Sequence, residues 1–190
     1  MRRILAVVVV LLTVGAGLGA GRIDEVIDQE SLPAVSPAIT FAAGGPVAQV
    51  LSQTVTVGVT GVLAEVRLAF GCVDDSEHVI LEIRDVASSG QPGQTLYRHR
   101  RYPVAQFPSP VTNEFRSLDL GGGLDFTAGD QFAIVITTTE GGSCGVWPGE
   151  VGDFYNGGTA WADANDGPIV PLSLGTGRDD LAFQTVMRVR

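Results

Sequence analysis

From Gln49 to the end of the chain, apolar residues recur at every second position, in short runs separated by glycine and proline. Val66, Leu68 and Phe70 alternate with Glu65 and Arg67, and Val79, Leu81 and Ile83 alternate with Glu82 and Arg84. Phe132, Ile134 and Ile136 do the same within Gln131 to Thr138. A period of two places one face of each run in a core and the other in water, which is the pattern of half-buried strands. Further runs span Gln49 to Val59, Thr95 to Val104, Glu114 to Leu120, the region around Val146-Trp147, Thr159 to Ala162, and Leu181 to Arg188. Between them stand turn formers: Ser88 to Gly93, Gly121-Gly122-Gly123, Thr127 to Asp130 and Gly141-Gly142. No convincing helix lies between the runs. Strands without crossover helices pair antiparallel, so the expected fold is all-β: an antiparallel two-sheet β-sandwich of jelly-roll type. A barrel or an immunoglobulin-like sandwich fits the same pattern.

Ahead of this region the sequence changes character. Met1-Arg2-Arg3 supplies a positive start, Ile4 to Leu12 an unbroken apolar run, and Gly15 to Ala20 a stretch of mostly small residues. That order matches a secretory signal peptide, with cleavage expected after Ala20 and Gly19 as the alternative. An uncleaved anchor is the competing reading, but the apolar run is short for a membrane span. The expected organisation is a signal peptide over 1–20, a linker over 21–45 and a β-sandwich over 46–190. Ile23 to Glu30 has the look of a helical turn or two, stopped by Pro33 and Pro37. After cleavage no apolar run remains that is long enough to span a bilayer. The protein is therefore expected to be secreted, extracellular or periplasmic.

Composition narrows the function classes. Hydrophobic residues make up 45% and charged residues 17%, which excludes a disordered, highly charged chain. A net charge of -9 repels phosphate backbones, so nucleic acid is not an expected partner. All 12 basic residues are arginine, which removes Schiff-base chemistry at a lysine. The two cysteines, Cys72 and Cys144, form an expected disulfide in an oxidising compartment; two free thiols are the alternative.

The order of several segments resembles secreted bacterial β-sandwich domains of the choice-of-anchor and galactose-binding-like jelly-roll type. The likeness is carried by Ser52-Gln53-Thr54-Val55-Thr56-Val57, Leu81-Glu82-Ile83-Arg84-Asp85 and Gly90-Gln91-Pro92-Gly93. It continues in Leu124 to Val135, Tyr155 to Trp161 and Asp180 to Thr185. The resemblance implies a jelly-roll on an exported or surface protein, and implies no particular activity.

Catalytic motifs are not found: His78 and His99 lie in separate segments, and no nucleophile elbow, zinc-binding helix or phosphate loop occurs. A hydrolase built on Glu77, Glu82, Glu150, Asp153 or Asp163 is a distant third reading. A non-catalytic extracellular module that binds carbohydrate or another surface ligand is the leading one. Trp147, Phe154, Tyr155 and Trp161 crowd into a glycine-rich stretch. Tyr155 and Trp161 would stack on a sugar ring, and Asp153 and Asn156 would bond its hydroxyls. Rings that fill the core instead would point to the alternative, a structural envelope or matrix protein. Asp163, Asn165 and Asp166 offer oxygen ligands for a loop Ca²⁺, with ordinary Asx turns as the alternative. Arg98, His99, Arg100 and Arg101 form the one basic cluster, read as a solvated strand edge or as a contact for an anionic glycan.

Overall fold

A computed structural model describes residues 24–35, 37–43, 48–72, 78–107, 113–139, 143–150, 155–164, 167–172 and 180–189. The strands are β1 (Asp24–Ser31), β2 (Ile39–Ala42), β3 (Gln49–Thr56), β4 (Gly61–Cys72), β5 (His78–Val86) and β6 (Pro92–Pro103). They continue as β7 (Phe115–Phe126), β8 (Gln131–Thr138), β9 (Ser143–Val146), β10 (Ala160–Ala164), β11 (Val170–Pro171) and β12 (Phe183–Val189). Among the described residues the only helical piece is a 3₁₀ turn at Val104–Gln106. All strand pairings are antiparallel, as expected of a chain without crossover helices.

Strand β4 organises the topology because it belongs to two ladders. Its first part lies between β12 and β7, with β1 outside β12. Its last residues, Phe70 to Cys72, pair instead with β9, which leads through β2 to β3, β8, β5 and β6. The handover occurs at Ala69. Its N–H donates to Ala182 O at 3.3 Å, while its carbonyl accepts the Trp147 N–H at 2.8 Å. Trp147 O in turn accepts the Ala182 N–H at 2.8 Å, so three segments share one node. One core cluster draws on both ladders: Leu63, Leu118 and Phe183 from one, and Leu51, Leu81 and Phe132 from the other. The connected sheet must therefore curl over a common interior.

The inward positions of β4, β5 and β8 are those that the alternation picks out. Val66, Leu68, Phe70, Val79, Leu81, Ile83, Phe132, Ile134 and Ile136 are all fully buried. Each such side chain contributes about 1.5–3 kcal/mol through burial. Some inward positions are polar, Gln53, Thr138 and Thr185 among them. Gln53 lies between Leu51 and Val55 with no exposed surface. Its amide is satisfied by the Leu181 N–H at 2.9 Å, by Asp180 Oδ1 at 2.8 Å and by Thr54 O at 3.1 Å.

Cys72 and Cys144 are register partners across β4 and β9 and form the expected disulfide. They are 72 residues apart in sequence, so the bond closes a long loop.

Two local expectations are corrected. The segment expected as a linker with a helical turn supplies β1 and β2. Asp24 to Ser31 pairs with β12, and Ile39 to Ala42 pairs with β9. Pairing with a waiting sheet edge outweighs the weak helical preference of a short acidic stretch. Asp28 then uses its carboxylate to accept the Gly58 and Val59 N–H groups. The triple glycine does not end β7 but carries the strand onward. Gly121 and Gly122 take φ of 66° and 105°, and the β4–β7 register shifts opposite them. The bulge extends the strand to Phe126.

Strands β6 and β7 face each other without a ladder between them. Arg98 Nη2 donates to Gly122 O at 2.7 Å, and the Tyr102 hydroxyl donates to Asp119 O at 2.6 Å. Side chains thus cap the carbonyls that β7 leaves unpaired on this edge.

Candidate functional site

The late aromatic segment is built into the fold. The Tyr155 hydroxyl accepts the Thr56 N–H at 2.8 Å and donates to Thr56 O at 3.2 Å. Its ring meets the buried Phe183 edge-on, with centroids 5.1 Å apart. Burial pushes the phenol up to about 12, with the Thr56 backbone hydrogen bond acting in the opposite sense. The following turn is stitched to β3: Thr56 Oγ1 donates to Gly157 O at 2.6 Å, and the Thr159 N–H donates to Thr54 Oγ1 at 2.9 Å. A Cβ on Gly158 would overlap the Thr54 carbonyl oxygen, which is why the chain can lie so close.

Asn156 is exposed at this turn, but Trp161 is only 8% exposed. Ala160 and Ala162 face the core, so alternation sends Trp161 to the opposite face, in register with Ser52. Its ring has no open face for stacking, contrary to the role expected from sequence. Its Nε1 and the Asp163 Oδ1 are buried without a hydrogen-bond partner. Trp147 is also buried, at the Ala69–Ala182 node. Asp153, Asn165 and Asp166 lie outside the described residues, so of the expected calcium ligands only Asp163 is placed. Among the described residues, no group of three or more His, Cys, Asp and Glu is positioned to hold a metal ion.

Strand alternation divides the basic cluster. Arg98 and Arg100 oppose the core residues Ile83 and Leu81, and both reach the glycines of β7. His99 opposes Glu82 on the outer face, with Nδ1 3.1 Å from Glu82 Oε1. Glu82 also accepts from Arg84 Nε at 2.7 Å. His78 begins β5 opposite Pro103, four register positions along the ladder from the Glu82–His99 pair.

Two grooves lie at the end of the molecule where β7 turns into β8. One groove of about 410 Å³ is lined by Tyr97, Leu124, Asp125, Phe126, Asp130 and Gln131. A second, of about 480 Å³, lies beside Thr60, Gly61, Val62, Thr127 and Arg188 and shares Asp125 and Phe126 with the first. Both fall in the size range of small-ligand clefts. Tyr97 is 43% exposed, and its ring meets Phe126 edge-on at 6.1 Å. Phe126 stacks in turn on the buried Phe132 at 4.9 Å. An exposed ring therefore stands on two others that reach the core. Around it, Asp125, Asp130 and Gln131 are exposed. Asp130 uses Oδ2 to accept the Thr127 N–H at 2.7 Å, and Gln131 donates through Nε2 to Thr56 Oγ1 at 3.1 Å.

Sequence reasoning passed over these residues. Tyr97 is skipped where the β5–β6 register jumps from Ile83–Arg98 to Arg84–Leu96, so strict alternation misplaces it. The aromatic pair Tyr97 and Phe126, set beside the Asp125 to Asp130 turn, was the available signal.

No family model matches this chain, and no curated protein matches it.

Proposed function

We propose that this chain is an exported, non-catalytic module of the jelly-roll sandwich type that binds a glycan or another extracellular surface ligand. Its recognition surface is the pair of grooves that meet at Phe126. The observation that carries this reading is the exposed Tyr97 ring, anchored on Phe126 and flanked by Asp125, Asp130 and Gln131. Export is supported by the leader-like start and by a disulfide between β4 and β9, a bond that persists in oxidising compartments. Among the described residues no helix is long and apolar enough to cross a membrane.

A structural envelope or matrix role is the second reading. It is favoured by the burial of Trp147 and Trp161, since both tryptophans serve packing. The two readings separate on a glycan array probed with the mature protein beginning at Gly21, alongside its Tyr97→Ala variant. The binding reading expects signal that the variant loses. An empty array, together with self-assembly of the mature protein, supports the structural role instead.

A further inference from the structure

Resting on the binding reading above, we propose that the ligand is a non-anionic, hydroxyl-rich sugar chain of at least two rings. One ring lies against Tyr97, and the next crosses Phe126 to the side of Thr60 and Arg188.

The first groove presents a flat apolar surface surrounded by acceptors. Tyr97 supplies the surface, and its backing by Phe126 and Phe132 holds the ring in place before a ligand arrives. Asp125 is exposed, Asp130 engages only Oδ2 in its turn, and Gln131 donates elsewhere through its amide nitrogen. Carboxylate and amide oxygens therefore remain for a ligand that brings donors. A pyranose has this combination, with an apolar C–H face and a rim of hydroxyls.

Charge selects further. Asp125 and Asp130 repel an anion from the first groove. In the second groove Arg188 is paired with Glu25 at 3.5 Å and Asp125 also lines the wall, so an anion gains little there either. A chain without carboxylates meets no such penalty. Because Asp125 and Phe126 border both grooves, the two form one path longer than a single ring.

Calorimetric titration of the mature protein tests this with linear neutral glucan oligomers of one to six rings. Carboxylated oligomers of equal length serve as the comparison. The expected result is affinity that rises from one ring to two or three, with the carboxylated series weaker. Tyr97→Ala should cost about three- to tenfold in affinity, as expected for one lost stacking contact. Asp125→Asn keeps the side-chain shape and should admit the carboxylated chain. Affinity independent of length, or a preference for the carboxylated series, overturns the proposal. If a carboxylated ligand binds and Tyr97→Ala abolishes that binding, the ligand class is wrong but the groove reading stands. If ligands bind and neither substitution changes any of them, both fall.

Discussion

Gln53 and Asp180 meet inside the protein: the glutamine Nε2 donates to the aspartate Oδ1 across 2.8 Å, and both residues are buried. The contact ties the centre of β3 to the segment that enters β12, and Gln53 Oε1 completes the tie by accepting the Leu181 N–H. Replacing Gln53 by Leu keeps the approximate volume but removes three hydrogen bonds, to Leu181, Asp180 and Thr54, and takes its acceptor from the buried Leu181 N–H. The expected loss is about 2–4 kcal/mol in urea unfolding. A loss below half a kcal/mol would mean that the pair is dispensable.

The disulfide closes a loop between residues 72 apart. Joint Cys72→Ser and Cys144→Ser substitution should lower stability by about 4 kcal/mol on the chain-entropy model. Calorimetry of the oxidised protein and the double variant checks this. An unchanged melting temperature would show that the β4–β9 ladder holds by itself.

Tyr155 links stability to alkaline pH. Its phenol titrates near 12 in the folded protein, above the ordinary value of 10.0. The unfolded chain therefore loses this proton first, and the group's contribution is complete below pH about 10 and lost as pH rises toward about 12. Tyr102, also raised by burial, adds to the same fall. Tyr155→Phe should flatten the decline across this window while lowering stability at pH 7 by about 1–2 kcal/mol through the lost Thr56 bonds. An identical pH slope in the variant would contradict this placement of the hydroxyl.

Gly158→Ala tests the close seating of the late turn on β3. The new methyl meets backbone at Thr54 rather than a flexible side chain, so the turn must move away. The expected cost is about 1–3 kcal/mol, read by thermal unfolding. A neutral substitution would show that the turn is only loosely held.

Much of this architecture can be read from side-chain period. Phe132, Ile134 and Ile136 announce β8, and Val79, Leu81 and Ile83 announce β5, because one buried face leaves no other register. Period fails where pairing decides instead. Asp24 to Ser31 carries a weak, mixed pattern and becomes a strand only because β12 offers an edge. The glycines at 121–123 have the composition of a stop but act as a bulge that brings Phe126 to the grooves. Which aromatic rings meet water is hard to read for a related reason. Trp161 and Tyr155 have the composition of a sugar platform, but which side of a ring meets water depends on neighbours from distant strands. Tyr97 emerges at a register shift that no local pattern marks.

We place recognition at the Tyr97–Phe126 grooves and not at the late aromatic turn. Amide chemical-shift mapping of the mature protein, titrated with a neutral glucan oligomer, addresses it directly. Resonances at Tyr97, at Asp125 to Gln131 and near Thr60 should be perturbed, with Asn156 and Trp161 unmoved. Shifts confined to Tyr155 through Trp161, with Tyr97 silent, would contradict it.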